Sequence, residues 1–287
     1  YVDVTVDYAD TLHVTSSNKV MTAESVVRFQ KTLELIQAYL TTIDNCDVTN
    51  LSIDIQSHIP PSIGLASSAA VFSGLAKAIA GLVEIPLTDE QISVMARLGS
   101  GSASRSIFGG YGAIRNEENM FIDGSKGWQI ADENHWKLHD IIIVPSTEEK
   151  KVGSTEGHAN AETSPHYKQR LSDIAKRRQK ECIDAIAHKD FEHLQTVAEQ
   201  DAMNMHLCMQ TQTPELNYLS DETHRIITEI QEIRTSEHLP VLYTMDAGPT
   251  VHLFCEEEAK ERILSYANEQ EGCQIFEAST GSGAHLI

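Results

Sequence analysis

Apolar and polar positions alternate at the start of the chain, Val2, Val4 and Val6 against Asp3, Thr5 and Asp7, which predicts a strand with one buried face. The period then changes. Val26, Val27, Phe29, Leu33, Ile36 and Leu40 recur at helical spacing, so a helix is predicted over Thr22 to Leu40. Thr22 is its N-cap, and Glu24 lies in the first turn, where a carboxylate suits the positive end of the helix dipole. Alternation returns at Leu51, Ile53 and Ile55, and that strand runs into Ile59-Pro60-Pro61, where the prolines stop it. From Leu65 to Val83 the pattern is again helical, with Phe72, Leu75, Ala76, Ile79, Leu82 and Val83 on one face. A shorter helix capped at Thr88 ends at Gly99. A small-residue loop, a strand over Tyr111 to Ile114 and a continuous apolar strand over Ile141 to Val144 follow.

Between 146 and 164 large apolar residues are scarce, and the segment is predicted as a long exposed loop. Helix after helix is predicted from Pro165 to Ser236. The buried candidates are Ile174, Cys182, Ile183, Ile186, Phe191, Leu194, Val197, Met203, Leu207, Leu219, Ile226, Ile230 and Ile233. Strands over Val241 to Met245 and Val251 to Cys255 flank Asp246-Ala247-Gly248-Pro249. A helix over Glu256 to Asn268, a strand over Gln274 to Glu277 and a glycine-rich tail complete the chain. Strands, then helices, then more strands argue for an α+β or two-layer fold over a doubly wound sheet.

At 287 residues and 41% hydrophobic composition, the chain can build a packed core, and its length suits about two lobes. No apolar run approaches the roughly 18 residues of a membrane span. The 22 basic against 42 acidic side chains leave a formal charge of −20, which repels a phosphate backbone. No basic patch of useful size offsets it, so neither nucleic acid nor membrane is an expected partner. An anionic substrate must be gripped by a few well-placed donors against this field. The five cysteines are widely spaced without zinc-type spacing, which fits a reducing, cytoplasmic setting. The chain opens without an initiator Met or a basic, apolar signal region, and part of a natural N-terminus is expected to precede Tyr1.

Four segments carry candidate chemistry. Pro61-Ser62-Ile63-Gly64-Leu65-Ala66-Ser67-Ser68-Ala69-Ala70 reads as a strand end, a small-residue turn and a helix start. Its small residues let backbone N–H groups approach an anion, the helix terminus adds about half a positive charge, and Ser67 and Ser68 add hydroxyl donors. The pattern equally suits a plain helix start with serine caps. It is neither the Gly-Lys-Ser/Thr phosphate loop nor a GxGxxG turn. In Gly99-Ser100-Gly101-Ser102-Ala103-Ser104-Arg105-Ser106, four hydroxyls surround one guanidinium, which can grip a carboxylate or phosphate bidentately. Tyr243-Thr244-Met245-Asp246-Ala247-Gly248-Pro249 sets a carboxylate at a strand end, where partial burial would sensitise it to its neighbours; a turn Asp capping backbone N–H groups is the plainer reading. Lys150-Lys151-Val152-Gly153-Ser154-Thr155 offers two cations and two hydroxyls, as a phosphate-closing lid or as a solvated charge run. His135-Trp136 and His206 read as packing residues.

Taken in this order, the motifs resemble those of the mevalonate diphosphate decarboxylases, a branch of the GHMP kinase superfamily. Gly64-Leu65-Ala66-Ser67-Ser68-Ala69-Ala70 resembles the superfamily's phosphate loop, and Gly99 to Ser106 the decarboxylase-specific loop. Met245 to Pro249 resembles the third family motif, and Lys150 to Thr155 with Glu162-Thr163-Ser164-Pro165 the lid region. The resemblance covers nearly everything from about Leu51 onward. It implies an α+β, GHMP kinase-like two-layer fold with a deep cleft: a ribosomal protein S5 domain 2-like N-terminal lobe over 1–145, carrying the phosphate loop, and a ferredoxin-like C-terminal lobe over 146–287.

The family transfers the ATP γ-phosphate to the 3-hydroxyl of mevalonate 5-diphosphate, after which phosphate and CO2 leave to give isopentenyl diphosphate. The resemblance implies Asp246 and Arg105 as catalytic residues and Ser100, Ser102, Arg105 and Ser154 on the substrate. Gly64, Ala66, Ser67 and Ser68 are implied on the nucleotide phosphates, with ATP and Mg2+ bound together, no protein-held metal, and a homodimer. The family's Asn-Ile-Ala run and Lys-Tyr-Trp-Gly-Lys are absent from this sequence. Val71 stands where the family usually has Gly, and a β-branched side chain there is expected to crowd a nucleotide. Archaeal-type relatives act on mevalonate 5-phosphate, or decarboxylate the 3,5-bisphosphate without ATP. Asp246 argues against a pure 3-kinase, which lacks it. A non-catalytic binding relative is the alternative of another class, against which the Ser100, Ser102, Arg105 and Asp246 set speaks.

Overall fold

The alternating valines form β1 (Val2–Tyr8) in a computed structural model that describes residues 1–17, 20–44, 46–59, 65–117, 121–145 and 153–287, the side chains of 154–156 excepted. The chain divides into two units, one of 1–61, 65–133 and 281–287, the other essentially 134–280.

In the first unit, β2 (His13–Ser16) and α1 (Ala23–Leu40) precede β3 (Leu51–Ser57), which lies between β1, antiparallel, and β2, parallel. Leu51, Ile53 and Ile55 of β3 are buried in alternation, as their spacing predicts. Thr22 caps α1 by accepting from the Ser25 N–H, and α1 buries Phe29, Leu33, Ile36 and Leu40. Val27, assigned to the same face, is instead 45% exposed, because the stripe that meets the core is narrower than the apolar run. α2 (Ser67–Leu82) buries Phe72, Leu75, Ala76 and Ile79, and α3 (Asp89–Gly99) opens with a Thr88/Gln91 capping box. The segment Gly101–Ile107, predicted as a loop, is a 3-10 helix. The hairpin of β4 (Tyr111–Asn116) and β5 (Ser125–Ala131) follows.

The second unit is built on β6 (His139–Val144), whose continuous apolar run is buried. The segment 146–164 is not the loop expected. Residues 146–152 lie outside the described residues, but Ser154–Ala159 form α4 and Ala161–Thr163 a 3-10 turn, with Gly157, Ala161 and Ser164 buried. Then come α5 (Tyr167–Asp173), a π-helical turn over Ile174–Arg178, α6 (Gln179–His188), α7 (Phe191–Thr211) and α8 (Asp221–Glu237). Met203 and Leu207, predicted buried, are 37% and 38% exposed, since α7 turns Phe191, Leu194, Val197, Ala202, Cys208 and Met209 inward instead. β7 (Val241–Thr244), β8 (Val251–Cys255), α9 (Glu257–Asn268) and β9 (Gln274–Ser279) complete an antiparallel sheet of order β7-β8-β6-β9. Strand, helices, hairpin, helix and strand in this order form a ferredoxin-like arrangement.

The boundary expected at 145/146 falls instead after 133, because β6 is hydrogen-bonded on both edges, to β8 and β9, and so belongs entirely to the second unit. Residues 281–287 return to the first unit. There the Gly110 N–H donates to the Gly281 carbonyl at 2.9 Å and the Ala284 N–H to the Ser106 carbonyl at 3.0 Å. Among the described residues, no helix is long and apolar enough to cross a membrane.

Candidate active site

In the first unit the site begins at Ala66, which holds the left-handed conformation (φ 47°, ψ 33°) ahead of α2. A non-glycine residue there costs of order 1 kcal/mol, strain of the kind found where backbone N–H groups are aimed at a ligand. Ala66 supplies no side-chain cap, so serine is not the N-cap, and no acidic residue sits in the first turn. The terminus therefore keeps its positive end for an incoming anion. Ser67 and Ser68 begin the helix. Gly64 and the rest of 60–64 lie outside the described residues. Val71 packs against the apolar core of this unit, so the crowding anticipated at that position has lost its physical basis.

The Ser68 and Ser100 hydroxyls are 3.4 Å apart, and Ser100 and Ser102 are also 3.4 Å apart. The 3-10 period of three residues per turn sets Ser102 and Arg105 on one face. Three serines from two sequence motifs thus form a line of hydroxyls that ends three residues, one 3-10 turn, before Arg105. Among the described residues, the Arg105 guanidinium has no hydrogen-bond or ion-pair partner, and it is exposed. It is available to a ligand.

Several contacts fix this segment. A Cβ on Gly127 would stand 2.5 Å from the Ser104 carbonyl oxygen, and one on Gly112 would stand 2.9 Å from that of Arg105, so the hairpin's glycines let the 3-10 backbone lie against it. A Cβ on Gly283 would stand 2.3 Å from the Ile107 carbonyl oxygen, so the tail packs equally close. Arg28 on α1 donates to the Gly99 carbonyl at 2.8 Å and lies 4.7 Å over the Phe72 ring. A Cβ on Gly99 would meet that ring at 2.1 Å. Arg28 and Phe72 were not legible as site residues, since a charge or an aromatic on an amphipathic helix gives no sign of the loop it supports.

In the second unit Asp246 lies just past β7. It is exposed, against the partial burial expected, while its neighbours Met245, Ala247 and Gly248 are buried, so the turn presents one carboxylate to solvent. The Gly248 N–H closes the turn onto the Asp246 carbonyl at 2.8 Å. Thr223, the N3 residue of the α8 capping box, donates to the Pro249 carbonyl at 2.9 Å. His206 on α7 is 1% exposed. Burial pushes its imidazole down to about 4, against the pull of the Asp246 backbone and charge, and His158 and Arg170 push it the same way as burial. The ring is neutral at pH 7. By contrast, Trp136 donates to Glu256 at 2.9 Å and a His135 ring nitrogen lies 2.9 Å from the Ile186 carbonyl oxygen, which makes both the packing residues expected.

The lid motif is visible in part. Lys150 and Lys151 lie outside the described residues, as does the Ser154 side chain, although its backbone opens α4. Among the described residues, no group of three or more His, Cys, Asp or Glu side chains could hold a metal ion.

Comparison with known proteins gives this geometry a family. Solved structures share the fold across almost the whole chain. A mevalonate diphosphate decarboxylase from Staphylococcus aureus superposes with a TM-score of 0.85 at 27% identity, covering 98% of this chain and 83% of that one. A structure of MDDEF in complex with MVAPP, AMPPCP and magnesium gives 0.84 at 25% identity, covering 99% and 85%. Residues 2–125 match the model of the diphosphomevalonate decarboxylase-like N-terminal domain, and 140–280 that of the mevalonate 5-diphosphate decarboxylase C-terminal domain. The diphosphomevalonate decarboxylase of Debaryomyces hansenii is 34% identical over 212 residues, covering 73% of this chain and 55% of the relative. The chain belongs to the diphosphomevalonate decarboxylase family, with its GHMP kinase-like α+β fold. It spans little more than half the length of the curated relatives it matches.

Proposed function

We propose that this chain catalyses the ATP-dependent conversion of mevalonate 5-diphosphate to isopentenyl diphosphate, CO2, ADP and phosphate. The observation that carries the reading is the hydroxyl line Ser68, Ser100, Ser102 on the segment that carries an exposed Arg105 without a partner among the described residues, since a free guanidinium suits a carboxylate. Arg105 grips the substrate carboxylate and, with Ser100 and Ser102, orients the C–C bond to be broken. Asp246 lies near the 3-hydroxyl, and its charge stabilises the positive character that develops at C3 as phosphate departs. Ser154 of the lid region completes the substrate contacts. Mg2+-bound ATP supplies the transferable phosphoryl group. The α2 terminus suits its phosphates: Ala66 orients the backbone donors, Ser67 and Ser68 add hydroxyls, and no acidic first-turn residue opposes them. Gly64 is assigned to the same phosphates.

The roles separate in kinetics. Arg105→Gln is expected to raise the KM for mevalonate 5-diphosphate and to lower kcat/KM about 10²-fold while the KM for ATP stays within about threefold, because only the carboxylate loses its partner. Asp246→Asn is expected to lower kcat by about 10³-fold or more with little change in either KM, the mark of a group that acts in the transition state. Steady-state assays of CO2 and ADP formation check both. Unchanged kinetics in Asp246→Asn would contradict the assignment.

A further inference from the structure

The hairpin against which the Arg105 segment lies is itself held by α3. β4 and β5 form a two-stranded sheet, so among the described residues β5 has a strand on one edge only. Backbone groups of residues two apart point to the same edge of a strand, and those that face no neighbouring strand need other partners. Ser125 and Gly127 are such a pair. The Ser125 carbonyl accepts from Arg97 Nε at 2.9 Å, and the Gly127 N–H donates to Ser93 Oγ at 2.8 Å. Ser93 and Arg97, four residues apart, share one face of α3. Arg97 also donates through Nη2 to the Ile122 carbonyl, and it has no carboxylate partner among the described residues, so its guanidinium serves the backbone alone. Ser93 is fully buried in a helix, where alanine would be the better helix former. Its hydroxyl is used in both directions, donating to the Glu90 carbonyl at 2.6 Å and accepting from Gly127.

The same Gly127 is the residue whose Cα lies against the Ser104 carbonyl. Ser104 is fully buried, and its hydroxyl donates back to the Gly101 carbonyl at 2.8 Å, which closes the 3-10 turn ahead of Arg105. At its other end α3 runs directly into Ser100, whose N–H donates to the Ala96 carbonyl at 3.1 Å. One helix therefore carries Ser100 at its terminus and holds, through Ser93 and Arg97, the strand on which the Arg105 segment rests. We infer that Ser93 and Arg97 are positioning residues of the substrate site: by tying the free edge of β5 to α3, they fix the spacing between the Ser100 hydroxyl and the Arg105 guanidinium. The inference rests on the roles proposed for those two groups. A carboxylate gripped from both sides needs its donors held within a fraction of an ångström, and the exposed Arg105 side chain takes that precision from the backbone that carries it.

Kinetics and amide hydrogen exchange test this together. Ser93→Ala is expected to raise the KM for mevalonate 5-diphosphate about 5- to 20-fold, with kcat and the KM for ATP within about threefold of the parent. Arg97→Lys is expected to do the same, because an ammonium lacks the fork that reaches both carbonyls. In an Arg105→Gln background Ser93→Ala is expected to add less than about threefold to that KM, since the group it positions is already gone. In Ser93→Ala the amides of 101–107 are expected to exchange at least about tenfold faster while those of β6 to β9 keep their parental rates, the mark of a local loosening. A loss spread over kcat and both KM values would overturn the inference, as would a full additional rise in the Arg105→Gln background or unchanged exchange over 101–107. If Ser93→Ala shows no cooperative unfolding transition, Arg97→Lys carries the same readouts. A parent chain without decarboxylation would instead refute the proposed function, and the exchange measurement, which needs no turnover, would still decide whether Ser93 holds the 3-10 segment.

Discussion

At the scale of single residues, burial and solvent access set apart Asp246 and His206 of the second unit. Asp246 is exposed while Met245, Ala247 and Gly248 beside it are buried, and His206 is buried and neutral. This has a consequence for stability against pH. The folded imidazole titrates at about 4 and the unfolded one near 6.5, so between those values the unfolded chain binds a proton that the folded chain does not. Stability from this group is therefore complete above about pH 6.5 and is lost progressively as the pH falls toward 4, by roughly 3 kcal/mol in all. Denaturant unfolding at pH 7.5 and pH 5 is expected to show a smaller acid loss in His206→Asn than in the parent; an equal loss in both would contradict the assignment. Arg105, Ser100, Ser102, Ser68 and Asp246 stand out in the sequence only when their motifs are taken together, and their roles are the ones proposed above. His206 reads from the sequence as a packing residue, and it is buried in the structure.

At the scale of elements, the loop carrying Arg105 is rigid because three other pieces of chain lie against it: the glycines of β4 and β5, the Gly281–Ala284 tail and the α3 terminus backed by Phe72. Gly99 is the tightest point. Phe72 is almost wholly buried against Phe29, 5.2 Å away between ring centroids, and cannot swing aside freely. Gly99→Ala is expected to cost about 1–3 kcal/mol by overpacking, and to raise the KM for mevalonate 5-diphosphate as Ser100 shifts with the displaced helix end. Thermal unfolding and steady-state kinetics check this, and an unchanged unfolding midpoint would contradict it. Elements with a strong period (β3, α1, α2, β6 and β8) follow the alternation or helical spacing of their apolar residues. β2 and β5 escaped that reading because His13–Ser16 is short and Ser125–Ala131 is broken by Gly127 and Trp128, so neither shows a clean alternation. The Gly101–Ile107 helix was hidden by its composition, since a run of glycine and serine favours no element and takes its shape from the hairpin and tail against it.

At the scale of the whole molecule, the sequence pointed to two lobes but placed their boundary in a loop-like stretch, where composition changes, and not where hydrogen bonding does. The tail's return to the first unit is a long-range pairing that no local pattern announces. The formal charge of −20 sets the chemical problem the molecule has to solve. On the proposed function, a substrate carrying a carboxylate and phosphates meets a repulsive field, and its capture is assigned to Arg105, the serine hydroxyls and the α2 terminus acting together. The central claim is that this constellation performs ATP-dependent decarboxylation. It is tested most directly by measuring CO2 release from mevalonate 5-diphosphate, mevalonate 5-phosphate and mevalonate 3,5-bisphosphate, each with and without Mg-ATP, with Asp246→Asn alongside. The account predicts release from the 5-diphosphate only when Mg-ATP is present, with one ADP formed per CO2, and near-abolition in Asp246→Asn. Release from the 3,5-bisphosphate without ATP, or no release from any of the three, would contradict it.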